Sequence, residues 1–174
     1  AVDPDKFAPE PIDVSLRREL KFKAKDTVVG FIGTFGFWHG ITHFTDAILR
    51  LGSVSRNIGF VFVGDGPLRK KAQADLLNVE NVSFTGLIPY HEIHRYLSIC
   101  DVMVCPNVPD ATGSFIGSPT KLFEYMSSQR IVIASDVGQL SEIVFPSIRV
   151  KAGEVAPVVG NEVGILVKHS DSID

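Results

Sequence analysis

A doubly wound α/β domain built on a parallel sheet is the fold that this 174-residue sequence predicts, on two observations. Apolar runs of strand length recur at TVVGFIG (27–33), NIGFVFVG (57–64), NVSFTGL (81–87), DVMVCP (101–106), RIVIAS (130–135) and EVGILV (162–167). Several are apolar on both faces and rich in Val and Ile, as strands covered by helices on both sides should be. The segments between them carry helical spacing, and strand, helix, strand repeated in this way implies parallel pairing through crossovers.

The elements follow in order. TVVGFIG runs into the glycine-rich turn GTFGFWHG (33–40), and the stripe Ile41, Phe44, Ile48, Leu51 makes the first core helix. Trp38 reads as the anchor of that helix. NIGFVFVG leads into GDGP, where Pro67 takes the first helical position behind Gly66. After NVSFTGL, the stripe Ile93, Leu97, Cys100 marks another helix. Beyond DVMVCP and a polar loop, Ser118 caps a helix with Pro119 at its first position, and Leu122 and Met126 face the sheet. RIVIAS leads to SDVGQLSE, and VFPSIRVKAGEVAPVVGNE (144–162) reads mostly as loop.

Length and composition fit one soluble globular domain. A formal net charge of −3 gives no reason to expect nucleic acid. No apolar run approaches the roughly 20 residues of a membrane helix. The start, AVDPDKFAPEP, has neither an initiator Met nor a signal-peptide layout and reads as a chain entered partway along. Cys100 and Cys105 read as buried, reduced thiols, which fits a reducing cytoplasm.

In a doubly wound sheet, ligands bind beyond the carboxyl ends of the strands. The stretches to weigh are therefore GTFGFWHG, GDGP, GLIPYHE, PNVPDATGSFIGSPTK and SDVGQLSE. A dinucleotide fingerprint G-x-G-x-x-G starting at Gly33 would put its second and third glycines at Phe35 and Trp38, and both side chains block the approaches the glycines exist to allow. Asp65 could stand for the ribose-binding acid, although capping before Gly66-Pro67 explains it. A phospho-receiver needs acids after the first strand, where Thr34 and Phe35 stand. His39 with His43 lacks a third metal ligand nearby in the sequence, and His91 and His94 with Glu92 do not form H-E-x-x-H.

GSPTKLFEYMSSQRIVIASDVGQLSEIV (117–144) points elsewhere. A helix opening at Ser118-Pro119-Thr120-Lys121 presents free N–H groups and one full positive charge to an anion. Thr120, Lys121 and Glu124 share a face one turn long, so an anion at the tip leaves a neighbouring diol near Glu124. A solvated Lys–Glu pair is the alternative on residues alone.

Six stretches in register carry a resemblance: VDPDKFAP, GFIGTFGFWHGI, FVFVGDGPLR, NVSFTGLIPYHEIHRYLSICDVMVCPN, SPTKLFEYM, and IVIASDVGQLSEIV followed by VGILV. Together they resemble the C-terminal, nucleotide-sugar-binding half of the family-4 (group 1) glycosyltransferases, a Rossmann-like domain of the GT-B fold. The resemblance implies that 1–174 is a donor-binding domain, that 1–12 ends an interdomain linker, and that an acceptor domain precedes it. It implies retaining, metal-independent transfer of a hexosyl or related group from a UDP- or GDP-linked sugar. The acceptor would be a glycan, a lipid-linked sugar or a small molecule. The location would be cytoplasmic, or peripheral at the inner membrane surface.

The implied donor-binding residues are Gly33, Thr34, Gly36, His39, Leu87, Ile88, Ser118, Pro119, Thr120, Lys121, Leu122 and Glu124, with Phe115, Gly117, Gly138 and Glu142 as a further donor loop. Glu124 matches the ribose-binding second acid of the family's E-x7-E, whereas the first place holds Ile116. The cations the family commonly places after the first strand are replaced by Thr34 and His39, which leaves Lys121 as the main positive group. Arg69 and Lys70 read as a solvated helix face. Main-chain groups of Leu87 and Ile88 would read the base, although both side chains also suit strand-end core. Glu142 also suits stabilising the start of its own helix. A nicotinamide-dependent oxidoreductase domain and a degenerate, non-catalytic binding module remain the alternatives.

Overall fold

The computed structural model describes residues 2–51, 57–109, 112, 115, 119–145, 147–151 and 164–168. Among these, seven strands form one parallel sheet: β1 Thr27–Ile32, β2 Ile58–Val63, β3 Val82–Gly86, β4 Val102–Cys105, β5 Ile131–Ser135, β6 Ser147–Lys151 and β7 Gly164–Lys168. Their spatial order is β3-β2-β1-β4-β5-β7-β6. The chain order therefore reverses direction between β1 and β4, and their carboxyl ends form the switch-point crevice where doubly wound folds bind ligands.

All six strands expected from the sequence are present, and the stretch read mostly as loop contributes the seventh. The edge strand β6 is SIRVK, in which Val150 is buried and Arg149 is exposed. An edge strand needs only a half-buried alternation, and its charged residues make it read as loop.

The helices are α1 Val14–Glu19, α2 Ile41–Leu51, α3 Arg69–Asp75, α4 Ile93–Ser98, α5 Thr120–Ser127 and α6 Gly138–Ile143. Strand alternation sends Val28 and Ile32 to one side of β1 and Phe31 to the other. The first side packs with Leu97 of α4, Leu122 and Tyr125 of α5 and Leu140 of α6. The second side packs with Ile41, Phe44 and Ile48 of α2 and Ala72 of α3. Phenylalanines fill this second layer, with the rings of Phe62 and Phe84 stacked at 4.6 Å. Leu51, expected on the α2 stripe, is exposed.

The segment read as the end of a linker lies against α4 and α5. Phe7 is wholly buried, and its carbonyl accepts from Ser128 Oγ at 3.2 Å. Glu10 pairs with His94 at 2.9 Å. Cys100 and Cys105 are free and buried, and burial pushes both thiols up to about 12, so they stay protonated. Buried Arg17 pairs with Asp101 at 2.8 Å, an ion pair between helix and strand end that sequence spacing could not announce.

Candidate functional site

Backbone contacts lace the carboxyl ends of β1, β2 and β3 together. Gly33 donates to Val63, Phe35 to Asp65, and Gly64 to Gly86, at 2.8–2.9 Å. The fit requires glycine at position 64, where φ is +122° and a Cβ would lie 2.0 Å from the Gly33 carbonyl. Asp65 accepts from the Gly66 amide at 2.7 Å, in keeping with its reading as a local turn residue.

α5 is fixed against this edge by a residue that the sequence reading passed over. Tyr125 is fully buried, its hydroxyl donates to the Ile32 carbonyl at 2.9 Å, and it accepts from the Ile32 amide at 3.1 Å. Tyr125 joins Leu122 as the fully buried pair on α5, while Met126 packs only at the margin of the same core. The signal was present, since Leu122 and Tyr125 are three apart on a helix. Pro119 stands one position earlier than expected, as the residue preceding α5. Ser118, Gly117 and Ile116 lie outside the described residues.

Pinning α5 to β1 in this way puts Lys121 over the end of the first strand. Its Nζ lies 4.8 Å from the Phe31 ring centroid and 3.1 Å from where a Cβ on Gly33 would sit. The ammonium is buried and has no hydrogen-bond partner. Burial holds its pKa below the ordinary lysine value, against the opposing pull of Cys105 and Glu124. An unpaired buried ammonium is costly.

One turn on, Glu124 is half-buried and Oε1 accepts from the Tyr90 hydroxyl at 3.0 Å. Burial raises its pKa, while the Tyr90 bond and the charges of Lys6 and Lys121 lower it. Thr120 opens the helix and is exposed. The shared face of Lys121 and Glu124 read from their spacing is present, and both electrostatic shifts register their proximity.

His39 closes the other wall. Its Nδ1 lies 2.9 Å from Thr34 Oγ1. Burial first, then the charge of Lys121, lower its pKa to about 4 against the Thr34 hydrogen bond, so the ring is neutral near pH 7. The unfolded chain takes up this proton from about 6.5 downward, whereas the folded chain resists until about 4. Stability should therefore fall as pH drops through that window. His39→Asn should flatten this acid limb in urea melts, and an unchanged limb would assign the titration to another group.

Trp38 does not anchor α2. It is 58% exposed, its ring lies 5.7 Å from that of His39, and its carbonyl accepts from Asn107 Nδ2 and the Val108 amide. Gly36 is buried, with Trp38 and His39 both 3.3 Å from where its Cβ would be. Leu87 is exposed, whereas Ile88 packs against the core, in keeping with the strand-end alternative for Ile88. The solvated reading holds for exposed Lys70 but not for Arg69. The Arg69 guanidinium lies 3.5–3.7 Å from a Cβ position on Gly86, its Nε is buried without a partner, and Nη1 is 3.5 Å from Asp65. Gly138, at φ +49°, lies against the Phe115 carbonyl, which brings those two candidate donor-loop residues together. Glu142 is exposed in the last turn of α6, where it cannot support that helix's start.

Among the described residues, no group of three or more His, Cys, Asp and Glu could hold a metal ion. None of the described helices is long and apolar enough to cross a membrane.

The family model described as "Glycosyl transferases group 1" matches residues 26–172. The 2-deoxystreptamine glucosyltransferase of Streptomyces kanamyceticus is 32% identical over 165 residues, covering 90% of this chain and 41% of that protein. This chain spans less than half the length of each of the curated relatives it matches. Among solved structures, the C-terminal domain of the group 1 glycosyl transferase LpcC from Francisella tularensis aligns with a TM-score of 0.71 at 21% identity, over 98% of this chain and 81% of that one. HepE of Anabaena, solved with UDP and glucose, aligns with a TM-score of 0.70 at 20% identity, over 97% of this chain and 41% of that one. The two structures share the fold. The sequence match adds descent, and the chain belongs to the group 1 glycosyltransferases.

Proposed function

We propose that this chain binds the nucleotide-sugar donor of a retaining glycosyltransferase, with the diphosphate at Lys121 and the ribose at Glu124. The observation that carries the reading is the buried, unpartnered Lys121 Nζ above the end of β1. A sugar leaves a nucleoside diphosphate as negative charge builds on the departing oxygen. A fixed positive group in a water-poor site stabilises that charge most in the transition state. The first N–H groups of α5 and the bare backbone at Gly33 supplement Lys121, and neutral His39 can offer a hydrogen bond without adding charge. The exposed Leu87 side chain beside Ile88 suits the face of a base, either uracil or guanine. The acceptor and the groups that receive the sugar would belong to the part of the protein beyond this chain.

Calorimetric titration with UDP, GDP and NAD(H) tests the class, with binding of either nucleoside diphosphate expected and preference for NAD(H) overturning it. Affinity should persist in EDTA and weaken with salt. Glu124→Gln keeps the side chain's shape and one acceptor oxygen. Hydrogen bonds to a charged group contribute about 1.5–3 kcal/mol each, so the variant should bind roughly tenfold more weakly or worse. A 2′,3′-dideoxy nucleotide should bind the wild type weakly and lose little more from the substitution. Losses that simply add would return Glu124 to the solvated-pair reading.

A further inference from the structure

Tyr90 and the N-terminal segment meet at Glu124 in a contact that donor binding alone does not require. The turn Tyr90–Glu92 follows β3, and Pro89 stiffens the backbone at its start. Tyr90 is 59% exposed, yet three neighbours fix its ring. Its hydroxyl donates to Glu124 Oε1 at 3.0 Å, Lys6 Nζ sits 3.8 Å above its centroid, and the Phe7 ring is 5.8 Å away. Phe7 is itself buried, its amide donates to Asp3 at 3.1 Å, and its carbonyl is held by Ser128 at the far end of α5. One end of α5 thus fastens the segment, and the segment fastens the ring that holds the carboxylate one turn into the same helix.

We propose that Tyr90 is a positioning residue for the Glu124 carboxylate, and that Lys6 and Phe7 hold Tyr90 in place so that the docked N-terminal segment sets the ribose-binding geometry. The proposal rests on the reading that Glu124 takes the ribose. An ionised carboxylate offers about four acceptor sites. Tyr90 occupies one on Oε1, which leaves Oε2 and the second lone pair of Oε1 for the two ribose hydroxyls. A long glutamate side chain that is free in the unbound chain must be ordered when the ribose arrives, and Tyr90 orders it beforehand. The Lys6 ammonium over the ring face limits the ring's swing in a position that water otherwise reaches.

The test titrates wild type, Tyr90→Phe, Glu124→Gln and the double variant with UDP and GDP, and with the 2′,3′-dideoxy analogue of whichever binds more tightly. Tyr90→Phe keeps the ring and its contacts with Lys6 and Phe7, and a thermal melt checks that it folds. It should weaken the full nucleotide about fivefold, the cost of ordering one long side chain on binding. It should leave the dideoxy analogue unchanged and add nothing in the Glu124→Gln background. Lys6→Met should produce a smaller loss of the same hydroxyl-dependent kind. Wild-type affinity in Tyr90→Phe, with Glu124→Gln still impaired, would overturn the positioning role and leave the ribose reading standing. An unimpaired Glu124→Gln, or binding of neither nucleotide, would remove the ribose reading and this proposal with it. Equal losses for full and dideoxy nucleotide in Tyr90→Phe would also overturn it, because Tyr90 would then act on base or fold. A Lys6→Met variant identical to wild type would overturn the role of the N-terminal segment.

Discussion

Lys121→Met should abolish most diphosphate affinity while leaving the fold as stable as before or more so. The two effects have one cause. The wild-type ammonium is buried with no hydrogen-bond partner, so folding desolvates a charge and gives little back. Its contact with the Phe31 face, at 4.8 Å, offsets about 2 kcal/mol, against an effective desolvation cost of several kcal/mol per buried ion. Methionine fills similar space without the charge. The binding loss should be roughly a hundredfold for a nucleoside diphosphate, since charge-assisted bonds contribute up to about 3 kcal/mol each. The parent nucleoside, lacking phosphate, should lose little.

The sign of the pH effect follows from the same burial. The folded lysine has a pKa below its ordinary value of 10.5, so the unfolded chain holds the proton to higher pH than the folded chain does. Wild-type stability should therefore rise as pH climbs toward 10.5, and this rise should vanish in the variant. Calorimetry against diphosphate and nucleoside, with urea melts across alkaline pH, reads all of these quantities. Equal losses for both ligands would place the phosphates elsewhere.

Gly40→Ala should damage the fold itself. Gly40 ends the short turn Phe37–His39 at φ +63°, and a Cβ there would fall 1.5 Å from the Pro106 carbonyl oxygen. Left-handed backbone costs alanine about 1–2 kcal/mol. The clash adds to that, because the obstacle is main chain just past β4 rather than a side chain that can turn away. The Asn107 and Val108 bonds to the Trp38 carbonyl resist any retreat of that chain. A total of about 3 kcal/mol or more is expected, a loss of roughly 6–12 °C in melting temperature for a domain of this size. Nucleotide affinity should fall as well, because the same loop carries Gly33 and His39. Gly36→Ala is the control: Gly36 sits at φ −84°, and its nearest neighbours are side chains at 3.3 Å, so its loss should be much smaller. Matching melts for the two variants would contradict the packing of this loop against β4.

The sequence by itself determined six of the seven strands and the spacing within one half of the candidate site. Strand runs such as FVFV and VMVC are apolar on both faces because helices cover both, and that regularity is local enough to read. The spacing of Lys121 and Glu124 is also local, being one helical turn, and so is the breakdown of the dinucleotide fingerprint at Phe35 and Trp38. Tertiary structure decided what these side chains meet. Whether the Lys121 ammonium is solvated or buried depends on Tyr125 bonding to Ile32, 93 residues away in the chain. Whether Glu124 stands free depends on Tyr90, 34 residues earlier, and on a terminal segment that reads as plain linker. Arg69 and Trp38 exchanged the roles their spacing proposed, the first lodged beside Gly86 and the second exposed, because the packing of three strand ends set their surroundings. Periodicity reports which way a residue faces along its own element. Desolvation and pairing depend on the neighbours that folding brings from elsewhere in the chain, and those neighbours are what turn a lysine and a glutamate on one helix turn into a candidate anion and ribose site.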